Sequence, residues 1–172
     1  HDKRAESWKV TLVDTGDNSM TGGRLLRVFE YLKDEDAFCF TYGDGVGDVD
    51  ITASINFHNE HKKLATMTAT MSPGRFGALD IFNGKVSRFE EKPRGDGAKI
   101  NGGFFVLSPE VFQYLVDDHT VWEQEPLKNL AKEEELMAFE HIGFWQPMDT
   151  LRDKNLLEKL WNDGKAPWKT WD

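Results

Sequence analysis

Hydrophobic and polar positions follow two different periods along the chain, and their order predicts an α/β fold. Apolar and β-branched runs typical of strands occupy residues 8–14, 38–42, 64–71, 100–107 and 136–144. Apolar residues at helical spacing predict helices at 23–32, 51–63 and 125–135, and from Thr150 onward. Because strands and helices alternate, we expect a mostly parallel, doubly wound, Rossmann-like sheet.

One segment breaks this alternation. Residues 74–82 and 85–91 carry strand patterns on either side of Asn83-Gly84, a pair typical of a tight β-hairpin turn. We expect residues 74–93 to form an inserted antiparallel β-hairpin, a lid or wall at a binding site. The rest of residues 1–172 is predicted to form the single domain that carries it.

Composition narrows the classes of partner. The 172 residues fit one domain with its own core. The formal net charge of −9 argues against nonspecific binding to nucleic acid or to an anionic membrane. The sequence contains no run of 18 apolar residues of the kind that would predict a transmembrane helix. The one cysteine, Cys39, excludes a disulfide framework and a cysteine zinc site, and favours a reducing, cytoplasmic setting.

The stretch after the second strand is the first candidate site. Phe38–Tyr42 has no polar alternation, as in a strand covered on both faces, and it stops at Gly43-Asp44-Gly45. Ligands of α/β sheets bind beyond the carboxyl ends of strands, so Asp44 is well placed to hold a metal ion. Asp-Gly is also a common turn signal, and the pattern alone leaves both interpretations open.

Two further patterns are open to a functional and a structural interpretation. The small-residue loop Thr15–Gly23 leads into a helix with Arg24 in its first turn, so it could present N–H groups and a guanidinium to an anion. Ordinary capping by Ser19 or Thr21 is the alternative. His58 and His61 are three residues apart, but with no third ligand nearby we expect a solvated helix face rather than a metal pair.

Four motifs in order identify a family. They are YGDGV at 42–46, FEEKP at 89–93, INGGFFVL at 100–107 and FWQPMDTLRDK at 144–154. Together they resemble the sugar-1-phosphate nucleotidylyltransferases. Within that family the similarity is strongest to members that transfer a cytidylyl group from CTP to glucose 1-phosphate. These members supply CDP-glucose for CDP-6-deoxyhexoses and O-antigen lipopolysaccharide.

The resemblance implies a set of site residues and a magnesium ion. Asp44 and Asp149 would bind Mg²⁺, although Asp149 without the resemblance would be interpreted as a helix N-cap. Lys92 would hold the sugar phosphate and, with the two aspartates, complete the catalytic set. Glu90 is not assigned to the glucose site, because alternation places it on the face opposite Glu91. The remaining implied contacts are Gly77, Glu91 and Asn101 to the sugar, and Arg24, Gly43 and Asp44 to the nucleotide.

The family's glycine-rich loop over the triphosphate has no counterpart in this chain. We therefore expect the chain to be incomplete at its N-terminus. A second hypothesis is a catalytically silent module that binds the sugar phosphate or regulates another protein. The family's habit of assembly, together with the aromatic segment containing Trp161, Trp168 and Trp171, predicts a homo-oligomer. A tail folded back on its own domain is the alternative.

Overall fold

A computed structural model describes residues 8–72, 78–82, 85–90 and 99–171. The α-helices are α1 (Thr21–Arg27), α2 (Phe29–Leu32), α3 (Ile51–His61), α4 (Glu125–Lys132) and α5 (Leu151–Asn162), and Pro109–Tyr114 forms a 3₁₀-helix. The strands are β1 (Phe38–Thr41), β2 (Gly45–Gly47), β3 (Ala65–Met71), β4 (Ala78–Phe82), β5 (Lys85–Glu90), β6 (Lys99–Leu107), β7 (Leu136–Glu140) and β8 (Trp145–Pro147).

The main sheet has four strands in the order β1-β6-β3-β7. Strands β1, β3 and β7 run in one direction, since β7 is parallel to β3 while β1 and β3 are both antiparallel to β6. The predicted α/β fold with a mostly parallel sheet is confirmed. Strand β6 runs the other way because the β4–β5 hairpin, rather than a crossover helix, lies between it and β3 in the chain.

The core lies under the 3₁₀-helix and α4. Leu107, Val111, Trp122 and Leu130 have no accessible surface, and Phe105 packs edge-on against Trp122 with ring centroids 5.8 Å apart. Strand β3 is buried along most of its length, as expected of a strand with neighbours on both sides. This packing makes β3 and β6 a rigid base for the loops at the end of the sheet.

The prediction of a strand at residues 8–14 is wrong. Residues 8–14 form no regular element, and Trp8, Val10 and Leu12 are 76%, 71% and 93% exposed. The alternating pattern is that of a strand, but no ladder joins it to the described residues. Strand β1 also differs from its prediction, because it is an edge strand of the sheet and Cys39 is exposed rather than covered.

Two other predicted elements are divided in the structure. The predicted helix 23–32 is broken at Val28 into α1 and α2. The predicted strand 136–144 ends at Glu140, and Trp145–Pro147, predicted as a turn, is strand β8. In the described part of the chain no helix combines the length and apolarity needed to cross a bilayer.

The prediction of a solvated histidine face on α3 is wrong. His58 is only 3% exposed, and its Nδ1 and Nε2 lie 2.9 Å from Thr66 Oγ1 and 3.1 Å from Ser108 Oγ. His61 Nε2 lies 2.7 Å from the same threonine oxygen, and its Nδ1 accepts the Lys63 N–H. All four ring nitrogens therefore have partners within the protein, and the pair joins α3 to the sheet.

Candidate active site

A short ladder brings the two predicted metal ligands together. Strands β2 and β8 pair antiparallel, with Gly45 opposite Pro147, and the Met148 N–H donates to the Asp44 carbonyl at 2.8 Å. Asp44 precedes the first residue of β2, and Asp149 follows the end of β8. Because antiparallel pairing sets the start of one strand beside the end of the other, both carboxylates line one cleft of about 340 Å³.

Strand β6 supplies the opposite wall of this cleft. Asn101 Oδ1 accepts the Gly103 N–H at 2.8 Å, and Asn101 Nδ2 lies 3.5 Å from the Tyr42 hydroxyl. The Trp145 indole N–H donates to the Gly102 carbonyl at 2.8 Å, which ties β8 to β6. The amide of Asn101 is thus held at the edge of the cleft, where it could bond a hydroxyl of a bound sugar.

The two glycines of β6 make room for protein groups. Gly103 has a φ of +76°, and a Cβ there would lie 2.7 Å from Tyr42 Cδ2; a Cβ at Gly102 would lie 3.1 Å from the Thr68 carbonyl oxygen. Glycine at these two positions therefore allows the close approach of the Tyr42 ring and of β3. Burial and Glu123 raise the pKa of Tyr42, so its hydroxyl stays neutral.

Helix α5 begins one residue after Asp149. Its N-cap is Thr150, which accepts the Asp153 N–H, while the Asp153 carboxylate accepts the Thr150 N–H. This reciprocal capping box removes the alternative interpretation of Asp149 as the N-cap. Asp149 and Asp44 are both exposed on the cleft side of the ladder.

At the start of α1, two N–H groups are used within the protein. The Gly22 and Gly23 N–H groups both donate to the Thr120 carbonyl, at 2.9 and 3.1 Å. A Cβ at Gly23 would lie 2.3 Å from the Asp118 carbonyl oxygen, so the glycine pair is required by this close packing. The predicted side-chain cap by Ser19 or Thr21 is absent, since the N-cap is Met20.

The other predicted site residues have mixed outcomes. Arg24 is exposed and donates to Thr15 Oγ1 at 2.7 Å; it is not among the residues that line the cleft. Gly43 is exposed and adjoins Asp44. The predicted hairpin is present as the antiparallel pair β4–β5, with Glu90 as its last residue, whereas Gly77, Glu91 and Lys92 lie outside the described residues.

The sequence patterns did not single out several residues of the cleft. Tyr42, Gly45, Trp145 and Pro147 line it, and all four fall within the YGDGV and FWQPMD motifs. A signal was available, because these motifs set glycines and large rings around the two aspartates. The missing information was the β2–β8 pairing, which three-residue strands do not reveal by their pattern.

The cleft has donors that suit a hard cation. Within the described part of the chain no group of three or more His, Cys, Asp or Glu residues could hold a metal ion. Asp44 and Asp149 both line the cleft, and two carboxylates of this kind would fit Mg²⁺, because this ion keeps several waters and takes its other ligands from substrate phosphates. The set does not suit zinc, whose sites use three or four nitrogen or sulfur ligands.

The chain is similar to known proteins over most of its length. The family model described as nucleotidyl transferase matches residues 10–160. The chain is 69% identical over 172 residues to the glucose-1-phosphate cytidylyltransferase of Salmonella typhimurium, covering all of this chain and 67% of that protein. It is 46% identical over 169 residues to the "Probable glucose-1-phosphate cytidylyltransferase" of Bacillus subtilis, covering 96% of this chain and 65% of that protein.

Solved structures agree on the fold. UDP-glucose pyrophosphorylase complexed with UDP-glucose superposes with a TM-score of 0.64 at 11% identity, over 88% of this chain and 65% of that one. The chain spans about two thirds of the length of the curated relatives it matches. The resemblance inferred from the four motifs is confirmed, and the chain belongs to the nucleotidyl transferase family.

Proposed function

We propose that the protein transfers a cytidylyl group from CTP to α-D-glucose 1-phosphate, giving CDP-glucose and pyrophosphate. The observation that carries the proposal is the pair of carboxylates, Asp44 and Asp149, at one cleft beside Asn101. Relatives named for this activity at 69% and 46% identity support the choice of base and sugar. CDP-glucose would then enter the CDP-6-deoxyhexose route to O-antigen lipopolysaccharide.

The reaction requires little covalent chemistry from the protein itself. A phosphate oxygen of glucose 1-phosphate attacks the α-phosphorus of CTP, a new P–O bond forms, and the bond to the β-phosphate breaks with pyrophosphate as the leaving group. Two polyanions have to be held in line for this displacement, so positioning and charge neutralisation are the protein's main tasks. No covalent nucleophile of the protein is needed.

Each named residue has a task in this scheme. Asp44 and Asp149 would hold Mg²⁺, which when bound supplies positive charge to the reacting phosphates. Asn101 would bond a sugar hydroxyl. Lys92 would pair with the sugar phosphate, since a compact ammonium on a flexible stem suits a phosphate. By family resemblance Glu91 and the Gly77 backbone would contact glucose, and Arg24 and Gly43 the nucleotide.

Initial rates test the choice of nucleotide. The full-length product of the gene is assayed with glucose 1-phosphate and CTP, UTP or dTTP in turn, following pyrophosphate release. We expect the highest kcat/KM with CTP and dependence on Mg²⁺. A higher value with UTP or dTTP would overturn the choice of base. No turnover with any nucleotide, combined with measurable binding of glucose 1-phosphate, would favour the silent binding module.

A lysine variant tests the assignment of the sugar-phosphate contact. We expect Lys92→Ala to raise the KM for glucose 1-phosphate by about tenfold or more, because one charge-assisted contact contributes about 1.5–3 kcal/mol. The KM for CTP is expected to change much less. Equal losses for the two substrates would contradict a contact specific to the sugar phosphate.

We also propose a cytoplasmic homo-oligomer. Cys39 fits a reducing compartment. In the carboxyl-terminal segment, Trp168 packs against Phe144 with ring centroids 5.4 Å apart and the ring planes tilted by 32°, so this ring folds back on its own domain. Trp161 and Trp171 remain 51% and 56% exposed, which leaves apolar surface for a second copy. Native mass spectrometry tests this assembly, and a monomer at micromolar concentration would contradict it.

A further inference from the structure

We propose that Asp153, acting with Gln146, is a positioning residue for the Asp149 carboxylate. Neither side chain lines the cleft, so both would act through the backbone that carries Asp149. The inference rests on the proposed function, in which Asp149 binds the divalent cation. It adds a role for two residues to which neither the family resemblance nor the cleft geometry assigns one.

The two oxygens of Asp153 serve two different segments. Oδ2 accepts the Thr150 N–H at 3.1 Å and the Thr150 hydroxyl at 2.8 Å, which is the capping interaction of α5. Oδ1 accepts from Gln146 Nε2 at 3.0 Å. A helix cap needs only the first set of bonds, and the second reaches back to strand β8.

Gln146 is suited to carry this connection because it is buried. Only 7% of the residue is exposed, and its Nε2 also donates to the Pro147 carbonyl at 3.2 Å. A buried amide left without its acceptor is unfavourable, so the geometry of Gln146 and Asp153 is mutually determined. Pro147, two residues before Asp149, and Thr150, the residue after it, therefore belong to one hydrogen-bonded unit.

The backbone around Asp149 is therefore fixed at each neighbouring residue. Pro147 is held through its carbonyl by Gln146, Met148 through its N–H by the Asp44 carbonyl, and Thr150 through its N–H by Asp153. A metal site requires its ligands to be held close to the productive geometry by neighbouring groups, and loss of such a supporting contact lowers metal affinity by about 10–100-fold. Asp153 is placed to provide that support.

The decisive experiment compares two carboxylate-to-amide changes at helix starts. Asp153→Asn keeps the size of the side chain but leaves one acceptor oxygen in place of two, so the side chain can accept from Gln146 or from Thr150 but not from both. Asp50→Asn is the matched control, since Asp50 caps α3 through the Ala53 N–H and does not line the cleft. Binding of Mn²⁺, an ion that shares Mg²⁺'s preference for oxygen ligands, is measured by paramagnetic resonance on the full-length protein, together with kcat and the Mg²⁺ concentration for half-maximal rate.

We expect Asp153→Asn to weaken Mn²⁺ binding by about 10–100-fold and to raise the Mg²⁺ requirement in parallel. Asp50→Asn is expected to leave both unchanged, whatever its effect on Tm. Gln146→Leu, which leaves the α5 cap in place, guards against a folding defect in the first variant and is expected to weaken Mn²⁺ binding several-fold. Wild-type Mn²⁺ affinity in Asp153→Asn or Gln146→Leu would overturn the inference, as would equal weakening in Asp50→Asn.

A further variant separates this inference from the proposed function. Asp149→Asn is expected to abolish the Mn²⁺ site. If Asp149→Asn binds Mn²⁺ like the wild type, the metal site of the proposed function is wrong and the positioning role fails with it. If Asp149→Asn loses the ion while Asp153→Asn retains it, only the positioning role is overturned.

Discussion

Helices α3 and α5 begin in the same local context, and their caps differ in reach. Each follows a strand of the β2–β8 ladder by a few residues. At α3 the Asp50 carboxylate accepts the Ala53 N–H at 2.8 Å, and the bond stays within the first turn of the helix. At α5 the Asp153 carboxylate bonds Thr150 and also Gln146 of β8. The first cap ends with its helix, and the second extends into the strand beside Asp149.

The difference separates a structural side of the molecule from a functional one. Helix α3 packs His58 into a network with Thr66 and Ser108, which stabilises the fold but supplies nothing to the cleft. Helix α5 begins beside an exposed carboxylate, and its capping bonds hold the backbone of that carboxylate. Equal chemical changes at the two helix starts should therefore have different consequences for stability and for turnover.

The largest expected effect is a loss of kcat when Asp44 or Asp149 is changed, compared with no loss when Asp50 is changed. Asp44→Asn and Asp149→Asn each remove a carboxylate that would hold the cation at the reacting phosphates, so we expect kcat to fall by roughly 10²–10³-fold, as for loss of an electrostatic contact in other active sites. Asp50→Asn should retain the wild-type kcat. Circular dichroism serves as the check that all three variants are folded. Near-normal turnover in Asp44→Asn or Asp149→Asn would remove that residue from the site.

The next largest expected effect is on the free energy of unfolding at acid pH, and it arises from His58 in α3. Burial, with smaller contributions from His61 and Lys62, lowers the pKa of His58 to about 4 from its ordinary 6.5. The folded state thus binds fewer protons than the unfolded state between these values. Neutral, buried His58 therefore adds to the free energy of unfolding above pH 6.5. This stabilising contribution, about 2–3 kcal/mol, is lost as the pH falls toward 4.

Urea unfolding between pH 4 and 7 measures this contribution. His58→Gln is expected to flatten the dependence of the unfolding free energy on pH. His119→Gln, a change at an exposed histidine, should leave the dependence as in the wild type. An unchanged pH dependence in His58→Gln would show that another group is responsible.

The smallest expected effect compares the two caps directly. Thr150→Ala and Asp50→Ala each remove a capping side chain, and each should lower the free energy of unfolding by about 1 kcal/mol. Only Thr150→Ala should also reduce kcat, by a few fold, because it loosens the residue next to Asp149. Thermal unfolding and initial rates test the pair. A kcat loss of the same size in Asp50→Ala would contradict the functional distinction between the caps.

The elements with a strong apolar pattern could be predicted from the sequence. Strands β3 and β6 lie within one residue of their expected bounds, because strands covered on both faces are continuous apolar runs. Helices α3 and α5 begin within one residue of their expected starts, because their apolar residues recur at helical spacing. Strands β2 and β8 could not be predicted, because three residues carry no period. Residues 8–14, in contrast, were predicted as a strand and form none. A segment with a strand pattern becomes a strand only where it pairs with a neighbouring strand.

The candidate site depended on the resemblance more than on local pattern. Asp44 was identified from its place after a strand, whereas Asp149 alone would have been assigned as an N-cap, a role that belongs to Thr150. The burial of His58 was not predicted from the sequence. A histidine can be buried when each ring nitrogen has a polar partner. No local signal reveals the partners Thr66 and Ser108, which lie 8 and 50 residues away.

In the proposed site, Asp44 and Asp149 hold a single divalent cation together. Mn²⁺ affinity in the presence of CTP is measured for the wild type, Asp44→Asn, Asp149→Asn and the double variant. We expect each single change to remove the same site and the double variant to lose little more than either alone. Independent losses that add in the double variant, or an unchanged affinity in either single variant, would contradict it.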